Sequence, residues 1–258
     1  MTKSRSGRAY ECVVVDLNTQ RDFCDPGGAH PVANPESLIP ALRRIIAWTK
    51  RNQAPIISSL EAHRPAEVGS NGHPLCCVDG TVGQTKLPFT LFPLRLLMEV
   101  DNTFAVPIDL FRHWQQVILR KRTEDLFTNP KADRLMTHLV VREYVLFGTG
   151  VERSVKALAL GLLAREKRVT VVADACGYWH RPTADLALRQ IAAKGAQITT
   201  VDELLRHKLD RRHRYRCNGV APTRTPVNGR WYAVSHGGRA SFASDRVRGA
   251  KTPQDYQI

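Results

Sequence analysis

The segment from Tyr144 to Leu163, YVLFGTGVERSVKALALGLL, constrains the fold of this chain more than any other stretch. Its first half is a short apolar run that ends in Gly-Thr-Gly at 148–150, which predicts a buried strand and a tight turn. Its second half has apolar residues at helical spacing, which predicts a helix beginning near Glu152. Ser154 therefore stands at a helix amino terminus, where unpaired amides and the helix dipole stabilise negative charge on a reacting oxygen.

Strand and helix patterns alternate along the rest of the chain. The predicted strands cover residues 11–17, 54–60, 116–119, 168–173 and 196–200, and the other predicted helices cover 35–52, 129–139, 183–194 and 201–205. This alternation predicts an α/β fold: a three-layer α/β/α arrangement around a mostly parallel, Rossmann-like sheet. In such folds the functional site lies at the carboxyl ends of the strands.

Charge divides the chain at about residue 206. From Arg206 onward, 12 Lys and Arg stand against three Asp, so this part carries +9 of the total charge of +14. We predict one domain over residues 1–205 and a basic, Arg-rich extension over 206–258. A basic tail with interleaved aromatic residues could follow a phosphate backbone, but such tails are more often solvated or packed on a neighbouring subunit. Nucleic-acid binding is therefore not the expected role.

Other features of the sequence bear on the location of the protein. The chain has no apolar run of membrane length, and its start lacks the apolar segment of a signal peptide. The six cysteines are irregularly spaced, which favours reduced thiols over a disulfide framework. These features predict a cytoplasmic protein with no membrane association.

Three polar residues follow predicted strands. Because the carboxyl ends of parallel strands meet at one edge, we expect Asp16, Lys121 and Ser154 to lie close together. A carboxylate beside an ammonium group can exchange a proton with a nucleophile or leaving group. The alternative is a buried ion pair with no chemical role.

Several segments resemble the isochorismatase-like cysteine hydrolases, nicotinamidases in particular. The segment VVVDLNTQRDFCDPGG resembles the family's opening strand and its Asp-x-Gln-Asn-Asp-Phe motif, and ILRKRTEDLF resembles the segment with the catalytic lysine. The segment VLFGTGVERSVKALALGLL resembles the family's Gly-Val-x-Thr-x-x-Cys-Val nucleophile turn. The resemblance covers about residues 11–205 and implies an isochorismatase-like hydrolase acting on a small amide or a related bond.

The resemblance also implies roles for individual residues. It implies a triad of Asp16, Lys121 and the residue at 154, with Asp16 as proton shuttle. It implies a cis peptide at Gly150–Val151, with nearby amides as oxyanion donors, and an aromatic substrate pocket containing Phe23. Asp16 and Phe23 are separated by two more residues than in the family motif. Family members commonly form dimers or tetramers, so the resemblance implies a homo-oligomer.

Position 154 departs from the family, because the nucleophilic cysteine is replaced by serine. A hydroxyl is much harder to ionise than a thiol. Three explanations remain open: an introduced replacement, a native serine in an enzyme without a covalent step (for example one that cleaves a vinyl ether), or a relative that has lost turnover. The sequence therefore predicts a hydrolase, with a catalytically silent protein that binds a ligand, a partner or RNA as the alternative.

Nicotinamidases bind a divalent ion through an Asp-x-His pair and a later histidine, and the resemblance implies a matching site here. The corresponding residues are Glu61, His63 and the segment 73–77, from which Cys76 is the candidate third ligand for zinc or another divalent ion. The alternative is that Cys76 is a buried apolar residue and His63 a turn residue.

Overall fold

The structure is a computed structural model, and it describes residues 10–65, 75–101, 106–107, 109–206 and 232–233. The strands are β1 (Tyr10–Leu17), β2 (Ile56–Glu61), β3 (Arg95–Met98), β4 (Gln116–Lys121), β5 (Val141–Thr149), β6 (Val169–Gly177), β7 (Gln197–Thr199) and β8 (Tyr232–Ala233). The α-helices are α1 (Arg21–Cys24), α2 (Pro35–Asn52), α3 (Leu110–His113), α4 (Pro130–His138), α5 (Lys156–Ala164), α6 (Arg181–Ala193) and α7 (Val201–Arg206). None of these described helices has the length and apolar character needed to cross a membrane.

The strands form one sheet in the order β7-β6-β5-β1-β2-β4-β3-β8. Strands β1 to β7 pair in parallel, and only β8 runs antiparallel to its neighbour β3. Strand β1 lies in the middle, with Val14 opposite Ile56 of β2 and Val145 of β5. Its β-branched residues are buried on both faces, as expected for a central parallel strand.

Helices cover both faces of the sheet. One face packs against α2 and α7 through residues such as Leu42 and Leu204. The other face packs against α3 to α6, with Leu158 of α5 and Ile191 of α6 among the buried side chains. The predicted three-layer α/β fold with a mostly parallel sheet is confirmed.

Strand β3 is absent from the sequence-based prediction, which left residues 61–115 without a strand. It has only four residues, two of them half-buried, so its apolar pattern is too short to distinguish from a loop. Its neighbour β8 belongs to the predicted basic extension, which otherwise lies outside the described residues beyond Arg206. The domain boundary at 205 therefore stays a prediction.

The sheet order determines which residues can share a site. Strands β5, β1, β2 and β4 are consecutive neighbours, so their carboxyl ends form one continuous edge. The residues at or just after these ends are Asn18, Glu61, Lys121 and the turn that begins at Gly150. The candidate functional residues therefore lie on four different strands.

Candidate active site

Ser154 lies in a π-helical turn, Val151–Val155, which connects β5 to α5. The amide of Val155 donates to the carbonyl oxygen of Gly150 at 3.1 Å, which closes this wide turn. Gly150 has φ of +38° and lies against Trp179, so a Cβ atom there would be 2.2 Å from Cζ3 of the indole. The turn therefore requires glycine for conformational and for steric reasons.

The predicted cis peptide at Gly150–Val151 is wrong, because no cis peptide bond occurs among the described residues. The positive φ of Gly150 turns the chain into the helix with trans peptides. The use of the amides of Gly150, Val151 and Ser154 as oxyanion donors stays a prediction.

The Ser154 hydroxyl is buried and has three polar neighbours. It accepts hydrogen bonds from Lys121 Nζ at 3.1 Å and from Asn18 Nδ2 at 3.0 Å. It donates to Oε1 of Glu61 at 3.4 Å. A hydroxyl has two acceptor lone pairs and one proton, so these contacts use its full hydrogen-bonding capacity.

Lys121, at the end of β4, is completely buried. Its ammonium group contacts Oε1 of Glu61 at 2.6 Å. It also donates to the carbonyl oxygens of Thr123 at 2.8 Å and Glu124 at 3.3 Å. A buried ammonium needs hydrogen-bond acceptors and a counter-charge, and these contacts supply both.

Glu61, at the end of β2, is held in place by Gln20. The Gln20 side-chain amide accepts from the backbone amide of Glu61 at 2.8 Å and donates to its carbonyl oxygen at 2.9 Å, as a neighbouring strand would. Burial alone would raise the pKa of the Glu61 carboxyl, but the charge of Lys121 and the hydrogen bond to His63 outweigh it and lower the pKa to about 2. Glu61 is therefore ionised at neutral pH.

Asn18 follows β1 with φ of +49°. Its Oδ1 accepts from the hydroxyl of Ser59 at 2.6 Å, and its Nδ2 donates to Glu61 Oε1 at 2.8 Å as well as to Ser154. Because a carboxylate can only accept, the contact with Glu61 shows which end of the amide carries the hydrogens. Asn18 is thus a donor toward Ser154.

Asp16 belongs to a different cluster. Its carboxylate forms an ion pair with Lys86 Nζ at 3.0 Å, with both side chains almost completely buried. It also accepts from the hydroxyls of Thr19 at 2.8 Å and Ser58 at 3.1 Å. These contacts give the buried Asp16 carboxylate a counter-charge and two hydrogen-bond donors.

The predicted triad of Asp16, Lys121 and Ser154 is therefore corrected. The structure brings together Lys121 and Ser154, but the carboxylate beside them is Glu61 and the residue from the end of β1 is Asn18. Asp16 is not among the polar contacts of either residue in the described part of the chain.

The alternation of side chains along β1 explains the position of Asp16. Asp16 shares the face of Cys12 and Val14, which pack with α2 on one side of the sheet. The turn that carries Ser154 packs on the other side through Val151 and Val155. The left-handed backbone at Asn18 breaks the alternation after β1 and directs the Asn18 side chain to Ser154.

The sequence contained a signal for Asn18 that the prediction did not use. Counted back from Phe23, the family motif Asp-x-Gln-Asn-Asp-Phe aligns with residues 18–23, which read Asn-Thr-Gln-Arg-Asp-Phe. Gln20, Asp22 and Phe23 then match the motif, and Asn18 takes the place of its first aspartate. The two extra residues between Asp16 and Phe23 marked this offset.

Phe23 is buried, with 2% of its surface exposed. Its ring packs edge-to-face against Trp179, with 5.5 Å between the ring centres. Trp179 in turn stacks on His30 at 4.7 Å and covers Gly150. Phe23 thus packs against Trp179. Its role as an aromatic residue of the substrate pocket stays a prediction.

The candidate metal ligands do not form a three-ligand site in the described part of the chain, where no group of three His, Cys, Asp or Glu is arranged to hold a metal ion. Glu61 Oε1 is occupied by Lys121, and Oε2 lies 3.5 Å from His63 Nε2. The Cys76 thiol hydrogen-bonds to that of Cys77, which lowers the pKa of Cys76. His73 lies outside the described residues. An ammonium 2.6 Å from the first ligand does not fit a cation site.

Comparisons with known proteins agree with the fold. The family model of the Isochorismatase domain matches residues 12–203. An isochorismatase-like hydrolase from Alkaliphilus metalliredigens is similar at 20% sequence identity and a TM-score of 0.59, covering 76% of this chain and 96% of that chain. The pyrazinamidase of Pyrococcus horikoshii in complex with zinc is similar at 24% identity and a TM-score of 0.58, covering 74% and 99%.

A third solved structure, a nicotinamidase/pyrazinamidase from Bacillus subtilis, is similar at 12% identity and a TM-score of 0.60, covering 73% of this chain and 99% of that chain. At these identities the likeness shows a shared fold. No curated protein matches the chain by sequence.

Proposed function

The chain belongs to the isochorismatase family of hydrolases, and on that premise we propose that the site around Ser154 binds a small polar molecule without covalent turnover. The observation that carries this proposal is the 3.0 Å contact between Ser154 and the carboxamide of Asn18, where the family resemblance implies a carboxylate. A carboxamide neither accepts nor delivers a proton at neutral pH, so the shuttle that activates the nucleophile is missing.

The other neighbours of Ser154 do not replace that shuttle. A general base works best when its pKa lies near the working pH, and the pKa of Glu61 is lowered to about 2. Lys121 is engaged as a donor to Glu61 and two carbonyl oxygens. The Ser154 hydroxyl therefore lies beside charged groups but has no effective base.

A non-covalent route meets the same obstacle. Cleavage of a vinyl ether needs an acid that delivers a proton to carbon. Glu61 is ionised at neutral pH because of its lowered pKa, and Asn18 has no acidic proton. The polar groups of the site can still orient a ligand that displaces some of their mutual hydrogen bonds, because Lys121, Asn18 and Ser154 then supply donors and Glu61 supplies an acceptor.

The test is restoration of the missing groups. Hydrolysis of nicotinamide, pyrazinamide and isochorismate is measured for the unaltered protein, for Asn18→Asp, for Ser154→Cys and for the double variant. We expect no turnover by the unaltered protein and a gain of several orders of magnitude in the double variant, because thiolate and carboxylate act as a unit. Binding of the same compounds by the unaltered protein is measured by calorimetry.

Lys121→Met in the double variant is the control, and it should abolish the gain because the thiolate loses its charged neighbour. Turnover by the unaltered protein, lost on Ser154→Ala, would overturn the proposal. An inert double variant that is fully folded would also count against it.

A second candidate function is hydrolysis with Glu61 as the base for Ser154, which the 3.4 Å contact between their oxygens favours. This is the hydrolase predicted from the sequence, with Glu61 in the place of Asp16. It requires turnover by the unaltered protein that disappears in Glu61→Gln.

The remaining expectations stay predictions. They are a small-molecule ligand, a homo-oligomer and a cytoplasmic location. The predicted zinc or other divalent ion near Glu61 and His63 does not fit beside the Lys121 ammonium, and metal analysis of the purified protein tests this. Salt-sensitive RNA binding that is lost on deleting residues 206–258 would favour a role for the basic extension instead.

A further inference from the structure

A cavity of about 440 Å³ opens at the end of the sheet opposite Ser154. It lies where β1, β5, β6 and β7 begin, beneath the last turns of α2 and α7. Its volume falls within the range of about 300–1,000 Å³ that is typical of small-molecule sites. The candidate active site does not use any of its lining residues.

The floor of the cavity is apolar. It is lined by Cys12, Trp48, Val145 and Leu204, each buried to at least nine-tenths. Burial, with the nearby carboxylates adding to it, raises the pKa of the Cys12 thiol, so this residue is a neutral apolar group here. The floor therefore suits an aliphatic or aromatic group.

The walls carry charges of both signs, from the acids Glu11 and Glu143 and the bases Arg142 and Arg168. Glu143 hydrogen-bonds to the hydroxyl of Thr170. The Nε atom of Arg168 donates to the carbonyl oxygen of Arg142 at 2.9 Å, which holds the Arg168 side chain beside the start of β5. In the part of the chain that the structure describes, no ion pair joins Glu143 to Arg142 or Arg168, although all three line the same cavity.

We propose that this cavity is a binding site for an α-amino acid with an apolar side chain. The ligand carboxylate lies at the guanidinium groups of Arg168 and Arg142, the ammonium group at Glu143, and the side chain on the apolar floor. A zwitterion suits the cavity because it supplies a partner of opposite charge to the acid and to the bases at once. An anion or a cation alone would leave one sign of wall charge unmatched.

The test compares three molecules that share a phenyl group and a two-carbon chain. Binding of L-phenylalanine, 3-phenylpropionate and 2-phenylethylamine to the full-length protein is measured by calorimetry, with L-leucine as a second amino acid. We expect an amino acid to bind at least tenfold more tightly than either single-charge analogue. Equal binding of 3-phenylpropionate would overturn the role of Glu143, and failure of both amino acids to bind would overturn the site.

Variants locate the site. Glu143→Gln and Arg168→Gln should each weaken amino-acid binding at least tenfold, whereas Arg189→Gln, which removes an exposed charge from α6, should leave it unchanged. Equal weakening by Arg189→Gln would overturn the assignment to the cavity. The Asn18→Asp/Ser154→Cys variant should bind the amino acid normally, so this test and the restoration test succeed or fail separately.

Discussion

The side-chain amide of Asn18 donates to the hydroxyl oxygen of Ser154 at 3.0 Å, which joins residues 136 positions apart in the chain. Asn and Ser resemble Asp and Cys in shape, so under the proposed function the pair would keep the packing of a hydrolase site without its two ionisable groups. The charged groups that remain, Glu61 and Lys121, neutralise each other at 2.6 Å. The stability of the site therefore depends on this ion pair, which leads to the first prediction.

Lys121→Met should lower the free energy of unfolding by about 3–5 kcal/mol, because it leaves the Glu61 carboxylate buried without its cation. Urea denaturation at neutral pH measures the change. Lys194→Met, which removes an exposed lysine, is the matched control and should cost less than about 0.5 kcal/mol. The double variant Glu61→Leu/Lys121→Met should cost less than Lys121→Met alone. Equal costs for Lys121→Met and Lys194→Met would contradict a stabilising pair.

The same ion pair predicts a dependence of stability on pH. The pKa of Glu61 falls from 4.5 to about 2 on folding, so its contribution is complete above pH 4.5 and is lost as the pH falls toward 2. A shift of this size corresponds to about 3 kcal/mol at about 1.4 kcal/mol per pKa unit. Urea denaturation at pH 2.5 to 5 measures the loss, and Glu61→Gln should show a much flatter profile over that range.

His63 adds a second, opposite dependence. The hydrogen bond to Glu61 raises the pKa of His63 above 6.5, against the effect of burial. Its contribution is complete below pH 6.5 and is lost as the pH rises through the raised pKa. The joint contribution of Glu61 and His63 is therefore largest between about pH 4.5 and 6.5, and Glu61→Gln should reduce the decline on both sides. If the stability of Glu61→Gln declines above pH 6.5 as that of the unaltered protein does, the raised pKa of His63 does not depend on Glu61.

The role of Asp16 can be tested in the restored enzyme. Asp16 pairs with Lys86 and does not contact the Ser154 cluster, so Asp16→Asn in the Asn18→Asp/Ser154→Cys variant should leave kcat per folded molecule within about threefold. Its cost should appear in stability, at about 3–5 kcal/mol, because the buried Lys86 ammonium loses its counter-charge. Activity and urea denaturation are measured on the same preparation. A loss of kcat as large as that caused by Lys121→Met would show that Asp16 takes part in catalysis.

The fold followed from the sequence wherever a strand was long and β-branched. Strand β1 was predicted within one residue at its start, because a continuous apolar run has few alternatives to a buried parallel strand. Strand β3 was missed because it has only four residues. That is too short for an alternation of apolar and polar residues that would distinguish it from a loop. The short strand also pairs with β8 from a distant part of the chain, which no local pattern reveals.

The site was harder to predict than the sheet. Lys121 and Ser154 follow apolar runs and come together as expected. The third residue of the cluster follows β1, and a left-handed backbone conformation at Asn18 makes it Asn18. The prediction placed this residue two positions earlier, at Asp16. The contact of Glu61 with Lys121 depends on strand order, since β2 and β4 are neighbours although 60 positions separate these two residues. A single sequence contains no direct record of that order.

Gly150 gives a final prediction about the turn that carries Ser154. A Cβ atom at this position would lie 2.2 Å from the Trp179 ring, and the backbone has φ of +38°, so Gly150→Ala combines a clash with a strained conformation. We expect the free energy of unfolding to fall by roughly 2–4 kcal/mol. The matched control is Gly27→Ala, because a Cβ atom there meets nothing within 4 Å. Trp179→Leu should recover part of the loss, since it removes the clash but not the backbone strain. Equal stability of the two alanine variants in urea denaturation would show that the turn rearranges without cost.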